Sequence, residues 1–213
     1  MLTYKKLSPD CEAHYLDPET RQKYRRVLGG LGWPQKDKPG CALVLAETLG
    51  TPPNYRVLAA VTDHNGLVLL QKAKAMEIEF PVTAWHGNHA NLLMVTLVYE
   101  FNQGKYLEDK LKFTGAPMAG EKHNSGYYLP RVIELGKSSE QTLTVDARTE
   151  TTKEVLAALS GINPGQLNDD IAIFPLLAAV CYPLSFLMTY KAHKPSPAKT
   201  NLKKRYGADA WQL

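Results

Sequence analysis

Three carboxylates in this chain have the types and spacing that divalent-metal chemistry needs. Asp169 and Asp170 are adjacent and stand directly before an uncharged stretch, 171–190. Asp146 closes the short run Gln141-Thr-Leu-Thr-Val. Two hard cations about 4 Å apart, held by several carboxylates, clamp the attacking water and the leaving oxygen of a phosphodiester. Asp146, Asp169 and Asp170 are therefore the candidate catalytic and metal-binding set, with Mg2+ or Mn2+ as the ion. The same acids have a structural reading. An acid pair at a helix start stabilises the positive end of the dipole without a metal, and Asp146 before Ala-Arg-Thr suits an ordinary turn.

Other groupings are less complete. His86-Gly-Asn-His89 places two imidazoles three residues apart, and on one helical face they would supply half of a zinc site. His64 or His123 would have to complete it, so two polar histidines at a helix start is the favoured reading. Gly29-Gly-Leu-Gly32 does not continue to the glycine of a dinucleotide loop, because residue 35 is Gln. Its glycines point to close packing or a bulge. Ser138, Ser139 and Ser185 lack a nucleophile-elbow context. Trp33, Trp85 and Trp211 read as core or lid residues, with Trp211 also placed to stack on a base.

Charge supplies the partner expectation. The 213 residues carry a net charge of only +4. Yet Lys191, Lys194, Lys199, Lys203, Lys204 and Arg205 fall in one run without an acid. Such a tail suits a polyanion, and DNA is the expected partner through Lys199, Lys203, Lys204 and Arg205. A solvated tail without a partner is the alternative. Cys11, Cys41 and Cys181 are widely spaced and odd in number, which argues against a disulfide framework or a cysteine zinc site. A reducing, cytoplasmic setting follows as an expectation. The first residues contain no apolar run of the secretory type.

The elements that must position these residues follow from periodicity. Residues 1–25 form a polar lead-in, with Asp17 capping a short helix to Arg25. Strands are expected over 26–33, 41–48 and 55–62. Asn65-Gly66 reads as a hairpin turn with a return strand over 67–72. A helix is expected over 90–101, a loop-rich insertion near 105–140, a strand over 141–146, and a helix over 152–159 capped by Thr151. Residues 171–190 are long enough to span a bilayer. Pro175 and Pro183 oppose that, and an apolar helix covered on both faces of a core is the preferred reading. One α/β domain over 26–190 and a basic tail over 191–213 complete the plan. Without a membrane span, the chain is a globular composition with 44% hydrophobic and 22% charged residues.

Gly29-Gly-Leu-Gly-Trp with the strands after it, Thr144-Val-Asp-Ala, and Asn168-Asp-Asp-Ile before an Ala/Leu-rich helix together resemble the nuclease domain of viral DNA-packaging terminase large subunits. The resemblance covers most of 26–190 as scattered short pieces. It implies a ribonuclease H-like mixed sheet, antiparallel meander first, flanked by helices. It also implies metal-dependent cleavage of DNA, with acids from strand ends and a late helix. The first-strand aspartate of that family corresponds to Gly32 here, and Asp37, Glu47 and Glu100 are the acids available to replace it. No G-x-x-x-x-G-K-[ST] phosphate loop is present, so the motor half of such a protein is absent. The alternatives are a catalytically inactive nucleic-acid-binding or assembly module of the same fold, and a membrane-associated protein using 171–190.

Overall fold

Within Lys23–Gly32 the side chains alternate between two very different neighbours. Val27 and Leu31 point to one apolar layer, and Leu28, Gly30 and Gly32 to the other. This strand is the centre of the computed structural model, which describes residues 5–6, 15–116, 132, 135, 142–146, 148–163 and 170–192.

The strands are β1 (Lys5–Lys6), β2 (Tyr15–Leu16), β3 (Lys23–Gly32), β4 (Gly40–Thr48), β5 (Tyr55–Asp63), β6 (Trp85–Gly87), β7 (Phe113–Gly115) and β8 (Leu143–Val145). The helices are α1 (Gly66–Glu79), α2 (Leu92–Asn102), α3 (Glu150–Ser160) and α4 (Pro175–Ala192). β3, β4 and β5 form an antiparallel meander, Gly30 facing Leu43 and Leu43 facing Ala60. β6 joins the free side of β3 in parallel, and β7 joins β6 in parallel. β8 runs parallel to β5, while β2 and β1 extend the sheet at the start of β3. The result is a mixed sheet flanked by helices.

β4 shows why the meander is central. Cys41 to Ala46 is fully buried on both faces, which is the near-continuous apolar pattern of a covered strand. Leu43 and Leu45 meet α3 and α4 through Val155, Leu177 and Leu184. Ala42 and Val44 meet α1 through Leu69, Leu70 and Ala73, together with Trp85 and Val98. Helices on both faces thus close two apolar layers around one sheet.

The uncharged 171–190 stretch is a core helix with a broken start. Asp170 caps a single 3-10 turn, Ile171–Ile173, by accepting the Ala172 amide at 2.9 Å. α4 then begins at Pro175, where a missing amide hydrogen costs nothing. From Leu177 to Leu187 nearly every side chain is buried. Burial of these side chains in the core accounts for the absence of charge among them. Among the described residues no helix is long and apolar enough to cross a membrane.

Several expected elements differ. Asn65 is not a hairpin corner: its side chain accepts the Leu67 and Val68 amides and starts α1, so 67–72 is helix rather than a return strand. Leu69, Leu70, Ala73 and Met76 carry the helical period, which extends past Lys72. Asp17 starts no helix. Its Oδ1 accepts the Glu19 and Thr20 amides in a tight turn, Arg21 takes φ 58°, and the chain enters β3 at Lys23. His86 lies in a strand, β6, rather than on a helical face with His89. Residues 113–115 of the expected insertion form β7 of the sheet. The cap of α3 is Thr149 instead of Thr151, in a reciprocal hydrogen-bonded pair with Thr152.

The contact that holds α4 on the sheet tolerates no side chain on β3. A Cβ built on Gly30 would overlap the Ala179 carbonyl oxygen, and one on Gly32 the Pro175 carbonyl oxygen. Both obstacles are backbone and cannot rotate away. Gly30→Val is therefore expected to lower unfolding free energy by about 3 kcal/mol through overpacking. Urea denaturation checks this, and a variant within 0.5 kcal/mol of the parent, the usual spread of surface changes, would show that α4 does not seat here.

Candidate functional site

Asp146 is where the sequence reading placed its first catalytic acid, at the end of β8, and it is 8% exposed. Its amide donates to the Val57 carbonyl at 2.8 Å, which sets it beside β5. Two guanidinium groups take up its carboxylate. Arg148 donates from Nε to Oδ1 at 2.8 Å and pairs through Nη2 with Oδ2 at 2.7 Å. Arg56 donates from Nη2 to Oδ2 at 3.3 Å. The remaining arm of Arg148, Nη1, pairs with Glu19. One fork thereby ties the 17–20 turn to the strand end, a bidentate geometry that arginine is suited to.

Asp146, Arg148 and Glu19 line a cavity of about 210 Å3, with Asp17 and Glu79 contributing further acids. Burial opposes charge on Asp17. Hydrogen bonds from Thr20 and Glu19, with the Arg148 charge, outweigh it and hold the carboxyl below its ordinary value. Hydrogen bonds to Asp146 and Glu19 push the Arg148 guanidinium above its already high value. Burial raises the Tyr24 phenol, with the Arg56 charge opposing. This is a saturated ion network: it cross-links three segments, and its best donors and acceptors face one another.

The other expected acids lie elsewhere. The Asp170 turn is held by the β3–β4 connection, where Gln35 Nε2 donates to Ala172 O at 3.1 Å and Lys38 Nζ to Ile173 O at 3.0 Å. That connection precedes Gly40, which pairs with Asp63 at the far end of β5. Asp146 is level with Leu58, and the strand from there to Asp63 spans roughly 16 Å. The described contacts thus put Asp146 beside β5 and the Asp170 turn against the β3–β4 connection, and none of them brings the two acids together. Asp169 lies outside the described residues, as do Lys199, Lys203, Lys204, Arg205, His123 and Trp211. Among the described residues no group of three or more His, Cys, Asp or Glu side chains is placed to hold a metal ion.

The acids suggested to replace the one missing at Gly32 lie on β4, on α2 and in the β3–β4 connection. Glu47 is fully buried on β4, opposite Arg26, whose Nε stands 3.7 Å from its Oε2. Burial and the Glu47 charge push the neighbouring Tyr55 phenol up to about 12. Glu100 is exposed on α2, and Asp37 lies in the β3–β4 connection. Beside Gly30 on β6 stands His86, 1% exposed and stacked on Phe186 of α4 at 4.4 Å between ring centres. Neither ring nitrogen has a hydrogen-bond partner. Ser185 Oγ on the same helix is likewise buried and unpartnered. Trp33 and Trp85 are core residues: Trp33 donates to Asn88 O and Trp85 to Glu77 Oε1.

Arg56, Arg148 and Glu19 were not singled out from sequence, and Asp17 was read only as a helix cap. One signal was available. Arg56 interrupts an apolar strand, Tyr55-Arg-Val-Leu-Ala-Ala-Val, and a charge there requires a partner. Nothing local marks the partner as Asp146, ninety positions on.

Asp146→Asn is expected to destabilise the fold by about 2 kcal/mol, less than a fully buried pair because both arginines reach solvent. Equal denaturation midpoints for variant and parent would remove the network from this role. His86 adds a pH dependence. Burial lowers its imidazole to about 4 from 6.5, so on acidification the unfolded chain takes up the proton first. The stability is fully present above pH 6.5 and lost as pH falls towards 4, by about 3 kcal/mol in all. His86→Phe is expected to flatten the profile across that window, and an unchanged profile would exclude His86 as its source. No family model, curated protein or solved structure matches this chain.

Proposed function

We propose that this chain is a non-catalytic nucleic-acid-binding or assembly module on a ribonuclease H-like scaffold. The scaffold reading is supported by element order: an antiparallel meander, then helices alternating with strands, then a final helix over the first strand. That is the layout implied by the resemblance to the viral DNA-packaging terminase nuclease domain.

The observation that carries the non-catalytic reading is the Gly32 contact. The place of the first-strand acid is filled by the Pro175 carbonyl, so a carboxylate there would displace α4. Asp146, a second expected ligand, already has both oxygens committed to arginine. Metal-assisted phosphodiester hydrolysis needs carboxylate oxygens free to meet the cations. DNA binding rests on the basic run that continues from α4, including Lys199, Lys203, Lys204 and Arg205. Each neutralised phosphate releases counterions, so such contacts read out as salt dependence.

Two assays test this on the full chain. Duplex DNA binding is expected at low salt. Reversing the charge of Lys199, Lys203, Lys204 and Arg205 together should reduce the slope of log affinity against log salt by about 3 to 4. Absence of binding at about 50 mM salt, where phosphate contacts are strong, would overturn the nucleic-acid reading. Plasmid incubated with Mg2+ or Mn2+ is expected to stay intact. Metal-dependent cleavage that disappears in Asp170→Asn would restore the nuclease reading.

A further inference from the structure

The helix α2 is apolar nearly all round, yet among the described residues only one of its sides is covered. Val98 is buried and Met94, Leu97 and Phe101 pack partly against the same layer. On the opposite side Leu92 is 76% exposed, Leu93 73% and Tyr99 71%. Thr96 is exposed between them. At one hundred degrees per residue, Leu92, Thr96, Tyr99 and Gln103 form a single outward stripe, with Leu93 on its flank. A helix of this composition is expected to be covered on both sides. Just past its end, Tyr106 and Leu107 are also more than 70% exposed.

We propose that α2 packs against α2 of a second copy of this chain, antiparallel, across a two-fold axis at Thr96. Three features favour a second copy. First, the stripe is self-complementary. An axis at Thr96 sets Leu93 against the partner copy's Tyr99, and the small Thr96 side chains at the crossing let the helices approach closely. Second, the charges agree. The first turn of α2 contains no acid. In the antiparallel pair Glu100, the exposed acid of the helix, falls beside Leu92 of the other copy, where it meets the positive end of that helix dipole. The two Glu100 side chains are then kept apart. Third, the apolar area is concentrated on α2 itself: Leu92, Leu93 and Tyr99 are each more than 70% exposed, and burying them from both copies makes a contact of the weak, transient class, below about 1,200 Å2.

Sedimentation velocity on the full chain tests the proposal. A two-chain species is expected at about 200 µM, a concentration suited to a weak contact of under about 1,200 Å2. Leu92→Glu and Tyr99→Glu alter exposed positions, so the fold should persist by circular dichroism while dimer affinity falls at least tenfold. Cross-linking fixes the geometry. With Cys11→Ser, and with Cys41 and Cys181 buried, Thr96→Cys should give a disulfide-linked dimer on mild oxidation. Gln103→Cys should not, since its two copies would lie roughly 20 Å apart along the helices. A parent that sediments as one chain at that concentration overturns the proposal and leaves the face to a different protein. A dimer unaffected by both glutamate variants overturns it as well, and equal cross-linking at 96 and 103 overturns the antiparallel arrangement.

Discussion

The approach of α4 to β3 is the constraint on which the rest of this structure depends. Helix backbone touches strand backbone because Gly30 and Gly32 present no side chain there. That closeness lets Leu177, Leu184 and Leu187 reach down to Leu43, Leu45 and Val57 and close one apolar layer. It also leaves His86 of β6 and Ser185 of α4 buried between them. Their polar atoms consequently lie in a dry layer without hydrogen bonds. An interior of this kind favours the neutral imidazole, in line with the direction of the His86 shift.

The same contact bears on chemistry. A two-cation site needs several carboxylates converging with room for ions and substrate. The end of β3 that faces α4 is instead filled by main chain. His86, paired with Gly30, is buried with neither ring nitrogen hydrogen-bonded among the described residues. Charged groups are concentrated at the opposite edge, where Asp146, Arg56, Arg148 and Glu19 neutralise one another around the small acid-lined cavity. A network whose members satisfy each other rigidifies the edge of a sheet. Binding through charge outside the sheet, and association through the bare side of α2, are compatible with such a scaffold because neither requires an open site within it.

The meander, α2, α3 and the buried nature of α4 were legible from local pattern. Continuous apolar runs bounded by Pro and Gly gave β4 and β5 within a residue or two, and lack of charge with Pro175 and Pro183 gave a covered helix. The misreadings share one cause: a local signal with two outcomes. Asn65 can turn a hairpin or cap a helix, and burial of Leu69, Leu70, Ala73 and Met76 together selected the cap. Asp17 can start a helix or close a turn, and the pull of Arg148 and Glu19 on that segment accompanies the turn. β6 and β7 are three residues each, too short to show a period, and exist through pairing with β3 and with each other.

Sequence by itself determined which segments are apolar enough to be buried, where the acids and the basic run lie along the chain, and that the Gly29–Gly32 stretch must pack closely against something. These are properties of composition and spacing, and burial follows from them through the hydrophobic effect. Only the tertiary structure decided which acids meet. Asp146 met two arginines and Asp170 a turn amide, because strand register and the seating of α4 place them at different ends of the sheet. A carboxylate carries no information about its partner until the backbone brings one within about 3 Å. That long-range placement separates a candidate metal ligand from a structural ion pair.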